Sequence, residues 1–369
     1  MAQPRPDISI GDPAALLDTP VLVVDLDVFE ANLQRMADFA AAKGIRLRPH
    51  GKTHKCSAIG RRQMVLGAAG LCCQKVSEAE AFVAGGIADV LVTNEVLAPR
   101  KLERLARLTA QARIGICVDS LLGLDRLIGA TEHAARPIDA YLELDVGAAR
   151  CGVVEIGDAQ ALVERIAAAP GLSFGGIQAY HGGAQHLRTP AEREAAIAFA
   201  SGRARDLVAA LAQRGIATPV VTGAGTGTFP IEAASGVYNE IQPGSYIFMD
   251  RDYGDNQWSA EIPPFGNSLF VLTEVISRRE DFAVVDAGLK AQSLDSGFPV
   301  IAGRPDLRYD GPSDEHGTIR GANLPRLTER LALVPGHCDP TVNLYDWIVG
   351  IRDGMVAEIW PVDARGALI

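Results

Sequence analysis

The sequence predicts an α/β fold: a (β/α)8 barrel of the TIM type followed by a second, mostly β domain. Three observations carry this. From about residue 21 to 250, short β-branched runs alternate with amphipathic stretches, and eight such strand–helix units argue for a parallel (β/α) barrel more than a doubly wound sheet, although periodicity alone does not show closure. After Asp250 the helical periodicity fades and β-rich runs take over. A chain of 369 residues also exceeds one ordinary core and suits a large barrel with a companion domain. The expected division is a barrel over 21–252 and a β domain over 253–369, with residues 1–20 folded onto the latter.

In chain order, the predicted barrel strands are Val21–Phe29, Ile45–Thr53, Gly70–Val76, Asp89–Glu95, Arg113–Asp119, Asp139–Val146, Ser173–Tyr180 and Pro219–Thr222. Each is a short apolar run of strand length, as strands buried on both faces require. Amphipathic stretches such as Glu30–Lys43, Ser77–Gly85, Pro99–Ala110 and Ala191–Arg214 supply helices between them. In the second domain, Ser268–Ser277, Phe282–Val285, Arg330–Val334 and Met355–Val362 read as strands.

Composition limits the function. Hydrophobic residues make up 48% and charged residues 22%, as in globular proteins, and the net charge is −10. With no Lys/Arg stripe to neutralise phosphates, nucleic acid is not an expected partner. The first residues lack a basic-flanked apolar core, and no apolar run is long enough to span a bilayer, so a cytoplasmic protein without membrane contact is expected. Six scattered cysteines (Cys56, Cys72, Cys73, Cys117, Cys151 and Cys338) make no disulfide framework.

Candidate chemistry gathers at the predicted strand ends. Lys52 ends the second strand, within Arg48-Pro49-His50-Gly51-Lys52-Thr53-His54-Lys55. On an extended strand His50 and Lys52 share a face, and the neighbouring imidazoles and cations would favour a deprotonated amine suited to a Schiff base. Gln74 and Lys75, then Thr93 and Asn94, then Asp145 to Arg150, then Tyr180 to Gly183 end later strands. That end of a barrel carries the active site. The last strand runs into Thr222-Gly223-Ala224-Gly225-Thr226-Gly227-Thr228, small residues that let backbone N–H groups converge on a phosphate. The spacing is not GxGxxG, so a single phosphate fits better than a dinucleotide. A reactive lysine and a one-phosphate cradle on one barrel face suggest pyridoxal 5′-phosphate. In the β domain, Pro335-Gly336-His337-Cys338-Asp339-Pro340, read as extended, puts His337 and Asp339 on one face and Cys338 on the other. Imidazole plus carboxylate suits Mn²⁺ or Mg²⁺ better than Zn²⁺, although a core histidine and a turn aspartate read equally well from this spacing. The polar run of Asp314, Glu315 and His316 reads as a turn, an interface or support for a site.

Taken together, RPHGKTHK, CCQKVSEAEAF, VTNEV, QAYHGG-QH, GAGTGTF, PGSYIFMD, VVDAGLK, DEHG and PGHCDPT-N resemble the D-threonine aldolase family, relatives of the 3-hydroxy-D-aspartate aldolases and the D-serine dehydratases. The resemblance runs from about Asp18 to Gly366. It implies an alanine racemase-like fold (fold type III), usually a homodimer, with Lys52 linked to pyridoxal 5′-phosphate. It implies that Gln74, Arg150 and Tyr180 surround the cofactor ring, that Gly225, Thr226 and Tyr246 hold its phosphate, and that His337 and Asp339 bind the metal. The dehydratases have cysteine in place of that aspartate and bind zinc, so Asp339 points to an aldolase with a harder ion. The implied reaction cleaves a small-molecule D-3-hydroxy amino acid, such as D-threonine, D-allo-threonine or D-phenylserine, to glycine and an aldehyde. The base is either a metal-bound hydroxide or His181. A 3-hydroxy-D-aspartate aldolase, a racemase or dehydratase on the same scaffold, and a non-catalytic cofactor carrier are the alternatives.

Overall fold

The computed structural model describes residues 5–260 and 262–369. Two sheets organise them. The first holds eight parallel strands, β2 (Arg46–Leu47), β3 (Leu71–Cys73), β4 (Asp89–Glu95), β5 (Arg113–Val118), β6 (Ile138–Glu143), β7 (Leu172–Gln178), β8 (Val221–Gly223) and β9 (Glu240–Ile241). Their order is β2-β9-β8-β7-β6-β5-β4-β3. The two ends meet: His50 bridges Cys72 in parallel, Cys72 N–H donates to Pro49 O at 2.8 Å, and Gly51 N–H donates to Cys72 O at 2.7 Å. The sheet therefore closes into a barrel.

Helices α1 (Leu26–Lys43), α2 (Ser57–Val65), α3 (Val76–Ala84), α4 (Pro99–Leu108), α5 (Leu121–Ala130), α6 (Ile156–Ala168), α7 (Pro190–Gln213) and α8 (Phe229–Ala234) surround it. Local chemistry starts and stops them. Asp25 accepts from the N–H groups of Asp27 and Val28 at 3.1 Å to begin α1, and Gly44, at φ +62°, ends it. Thr189 and Glu192 form a capping box with Pro190 at the first helical position of α7, whose buried stripe Ile197, Ala200, Ala204, Leu207 and Leu211 keeps the helical period.

The second sheet has nine strands: β1 (Val21–Asp25), β10 (Leu269–Arg278), β11 (Ala283–Val285), β12 (Val300–Ile301), β13 (Leu307–Asp310), β14 (Gly317–Gly321), β15 (Arg330–Val334), β16 (Trp347–Arg352) and β17 (Met355–Pro361). Short helices α9 (Arg251–Gly254) and α10 (Cys338–Val342) lie between the two sheets in sequence and at the end of β15 respectively.

The expected first barrel strand, Val21–Phe29, is corrected here. It ends at Asp25 and lies in the second sheet, antiparallel to β10 (Val23 opposite Phe270) and parallel to β16 (Val23 opposite Val349). An apolar run buried on both faces carries no record of which sheet it joins. The barrel's eighth strand is instead β9, two residues with no readable pattern. The expected Ile45–Thr53 strand also stops early, because Gly51–His54 is a turn.

The barrel floor is charged. Arg48 is 1% exposed, its Nε 3.0 Å from Glu240 Oε1 and its Nη1 2.5 Å from Asp89 Oδ1. Gly70 leaves room for it, since a Cβ there would stand 2.1 Å from Arg48 Nη1. Replacing Arg48 by Met would leave the buried Glu240 carboxylate with only the partly exposed Arg46, 3.1 Å away, so the Arg48→Met protein should lose about 1–3 kcal/mol in a denaturant titration. A loss under about 1 kcal/mol would show that the ion pairs contribute little.

Candidate active site

The strand ends of the barrel and the start of α10 enclose a cavity of about 350 Å³. Lys52 enters it from the turn after β2. That turn seats against α3 and β3 because residue 51 is glycine: a Cβ there would lie 2.7 Å from Phe82 Cζ. Lys52 Nζ stands 3.5 Å from Asp339 Oδ2. The nearby Lys55 is unavailable, its amine buried 2.9 Å from Glu78 Oε1.

Burial pushes the Lys52 ammonium down, but Asp339 and Tyr180 outweigh it and hold the amine above its usual value. For the chain alone the amine is therefore held protonated rather than deprotonated as expected, because the Asp339 carboxylate, invisible in local sequence, stands 3.5 Å from it. His50 behaves oppositely. Burial, then the Lys52 charge, keep it neutral, with Nε2 3.0 Å from both Thr93 Oγ1 and Gln74 Nε2.

Arg150 crosses the ring of Tyr180 at 5.9 Å and pairs with Glu143 at 3.7 Å. Both Arg150 and Tyr180 line the cavity, as does Gln74. The opposite wall is Ala224, Gly225 and Thr226, with Gly244 and Ser245 beside them. Gln185, fully buried behind this loop, accepts from Gly227 N–H at 2.9 Å and donates to Thr228 Oγ1 at 2.7 Å. A Cβ at residue 225 would meet Gln185 Oε1 at 2.5 Å. The Thr226 hydroxyl is buried and has no hydrogen-bond partner among the described residues.

His337 and Asp339 face the cavity together, Nε2 to Oδ2 at 4.0 Å. The segment is not extended as expected: His337 caps α10, and Cys338 and Asp339 begin its first turn. Successive helical residues point about 100° apart, which turns Cys338 inward, fully buried, while Asp339 looks out. Burial lowers His337, but Asp339 and Asp250 overcome it and raise the imidazole to about 9. Burial alone would raise Asp339, yet His337 and Lys52 hold it well below the usual carboxylate range.

Two expected site residues lie elsewhere. Tyr246 is 1% exposed, its ring packed against Phe265 and its hydroxyl accepting from Gln63 Nε2 at 3.1 Å, so it sits in the core behind the cavity wall. Burial of the one large aromatic in Gly244-Ser245-Tyr246 leaves Gly244 and Ser245 at the surface of the cavity. His181 is turned toward Gly147, and its Nδ1 accepts from Ala184 N–H at 3.2 Å. His186 lines the cavity in its place, Nδ1 2.5 Å from Asp252 Oδ2. A histidine eight residues past the strand end gave no signal beyond its motif. Asp314, Glu315 and His316 form a loop in the second sheet, with Lys290 N–H donating to Asp314 O at 2.9 Å and Lys290 Nζ paired to Glu315 at 2.6 Å.

A barrel of this connectivity, with a lysine at the mouth and a second sheet closing over it, defines an alanine racemase-like enzyme architecture. Residues 24–252 match the family model "Alanine racemase, N-terminal domain" and residues 268–351 match "Putative serine dehydratase domain". The chain belongs to the D-threonine aldolase family. It is 47% identical to the D-threonine aldolase of an Arthrobacter species, covering 98% of this chain and 96% of that one. It is 46% identical to the 3-hydroxy-D-aspartate aldolase of Paracoccus denitrificans, over 95% and 92% of the two chains. The crystal structure of D-threonine aldolase from Filomicrobium marinum superposes with a TM-score of 0.96 at 48% identity, over 98% of this chain and all of that one.

Under Arg150, burial and the neighbouring Glu95 carboxylate raise Glu143 to about 9. A carboxyl whose folded value lies above its unfolded one stabilises fully at low pH, and that stability is lost as pH climbs through the folded value. The Glu143→Gln protein should therefore gain in melting temperature relative to the parent as pH goes from 5 to 9. A difference that stays flat across pH 5, 7 and 9 would mean Glu143 does not titrate there.

Proposed function

We propose that this chain is a lyase that cleaves D-3-hydroxy amino acids between Cα and Cβ, releasing glycine and an aldehyde, with pyridoxal 5′-phosphate and a divalent cation, Mn²⁺ or Mg²⁺. The observation that carries the reading is the meeting of Lys52 with the His337–Asp339 pair in one cavity, amine 3.5 Å from carboxylate. The family membership agrees with it.

The residues fit both groups. The partnerless Thr226 hydroxyl, with Ala224, Gly225 and Gly244 beside it, forms a polar recess that side chains would otherwise fill; at Gly244 a Cβ would come within 2.3 Å of Thr53 Oγ1. This recess suits the phosphate. Gln74, Arg150 and Tyr180 would surround the ring, and Lys52 would carry the cofactor covalently. For the cation, donors about 2.1 Å from one ion lie about 3 Å apart when adjacent and about 4.2 Å when opposite. The 4.0 Å between His337 Nε2 and Asp339 Oδ2 falls in that span. When bound, the cofactor ring accepts the electron pair left by bond cleavage and the cation polarises the β-hydroxyl.

The chain's own groups do the rest. Lys52 supplies the amine that substrate displaces. Arg150, braced by Glu143, keeps a fixed positive charge at the cavity wall. His186 is placed to take the β-hydroxyl proton, because Asp252 occupies Nδ1 and leaves Nε2 for substrate. Asp252 is itself kept ionised: burial raises it, and hydrogen bonds from His186 and Arg188 bring it down to about 2.

We further infer a cytoplasmic homodimer. The six cysteines are all free, as a reducing compartment requires. Leu97, Leu121, Leu122, Val154 and Phe199 leave apolar surface exposed, more than half of each side chain except that of Leu97. Among the described residues no helix is long and apolar enough to cross a membrane.

Product analysis tests the reading. With Mn²⁺ present, D-threonine should give glycine and acetaldehyde; 2-oxobutanoate with ammonia would identify a dehydratase, and inverted threonine a racemase. D-phenylserine and D-3-hydroxyaspartate assayed in parallel rank the β-substituents. Lys52→Ala should lose both turnover and the cofactor's near-visible band. His186→Ala should cut kcat about 10²–10⁴-fold, with His181→Ala nearly silent; the reverse ranking would return the base to His181.

A further inference from the structure

We propose that Asp250 is a positioning residue that sets the tautomer of His337, keeping the proton on Nδ1 so that Nε2 turns its lone pair to the cation site. This rests on the cation reading above. Asp250 is fully buried at the barrel's exit, and both its oxygens are committed. Oδ1 accepts from Tyr253 N–H at 3.0 Å and begins α9. Oδ2 accepts from Cys338 N–H at 2.9 Å and lies 2.7 Å from His337 Nδ1. A carboxylate can only accept, so a neutral His337 must donate through Nδ1. Two backbone bonds hold the partners in register, Arg251 N–H to Pro335 O and Asp252 N–H to Gly336 O, both at 3.1 Å. The imidazole thus has one orientation and one tautomer, the arrangement in which an outer carboxylate tunes a metal-binding histidine.

The same cluster could be read differently, with Asp250, His337 and Cys338 themselves grouped around an ion, since their donor atoms lie within 4.8 Å of one another. The hydrogen bonds argue against it. An ion there would have to break the Nδ1 contact, and Asp250 Oδ2 already receives Cys338 N–H. Asp250 therefore acts through His337.

The test is Mn²⁺ binding to chelator-treated protein with its cofactor in place, followed by electron paramagnetic resonance. An asparagine at 250 cannot accept at both positions: either it presents an amide to Nδ1 and drives the proton to Nε2, or it gives up the Tyr253 bond and holds Nδ1–H only through a neutral, weaker acceptor. Asp250→Asn should weaken Mn²⁺ about 10–100-fold while the cofactor band and melting temperature stay near the parent's, and saturating Mn²⁺ should recover most of kcat. Cys338→Ser should bind as the parent does. An Asp250→Asn affinity within twofold of the parent overturns the proposal, and loss of affinity in Cys338→Ser favours the alternative cluster and overturns it equally. If Asp250→Asn fails to fold, nitrogen NMR of the Mg²⁺-loaded parent decides: a proton on His337 Nδ1 supports the assignment, and one on Nε2 sinks it. Asp339→Asn separates the two readings. If it retains parental affinity, the cation site itself is misplaced; if it loses the ion while Asp250→Asn keeps it, only the positioning role fails.

Discussion

An amine and a carboxylate that belong to different sheets meet 3.5 Å apart in this protein, and the site exists only while those sheets stay docked. Lys52 hangs on the turn after β2 of the barrel; Asp339 sits in the first turn of α10, after β15 of the second sheet. Neither segment holds the other locally. The docking is covalent as well as packed, because β1 lies in the second sheet and passes directly into α1 of the barrel wall. The return crossing is at Asp250 to Asp252, whose side chains and backbone grip residues 335–338 on one side and His186 on the other. The cavity is a seam between the barrel and the second sheet, the kind of junction where binding sites commonly form.

Within that seam, identical residue types are driven in opposite directions by their neighbours. His50 is buried beside a lysine and stays neutral, whereas His337 is buried between two carboxylates and rises to about 9. Burial and a like charge lift Glu143 to about 9, while hydrogen bonds from His186 and Arg188 bring Asp252 down to about 2. Separated values of this kind let one cavity hold acids and bases at the same pH. The lysine is the informative exception. Its amine is held charged by Asp339, the residue read as a cation ligand, so a cation on that carboxylate and the ammonium of Lys52 compete for one negative charge.

The site was partly legible in the chain. Lys52, Gln74, Arg150, Tyr180, Gly225, Thr226, His337 and Asp339 all border one cavity. Most lie at strand ends, and period-two alternation with punctuation by glycine marks such ends well. Tyr246 and His181 were drawn into the list by motif and by adjacency, and both turn away: one to bury an aromatic ring, the other to receive a backbone N–H. His186, Asp250 and Asp252 were missed. They lie on short loops and a one-turn helix, where no periodicity exists and where the partner is some 66 to 87 residues away.

What the sequence determined by itself was the class of fold, seven of the eight parallel strands and the chemistry available at their ends. Hydrophobic period and turn residues are local quantities, and their repetition is enough to mark out alternating strands and helices. Tertiary structure alone decided which sheet received Val21–Asp25, which two-residue strand closed the barrel, and which imidazole faced the cavity. A doubly buried apolar strand satisfies any partner, two residues carry no period, and a side chain's direction on a loop is set by the hydrogen bonds that distant residues supply. The His337–Asp339 pair shows the division most simply. Its donors could be read from composition, but the helical turn that aims them at Lys52 is made by a carboxylate 87 positions earlier in the chain.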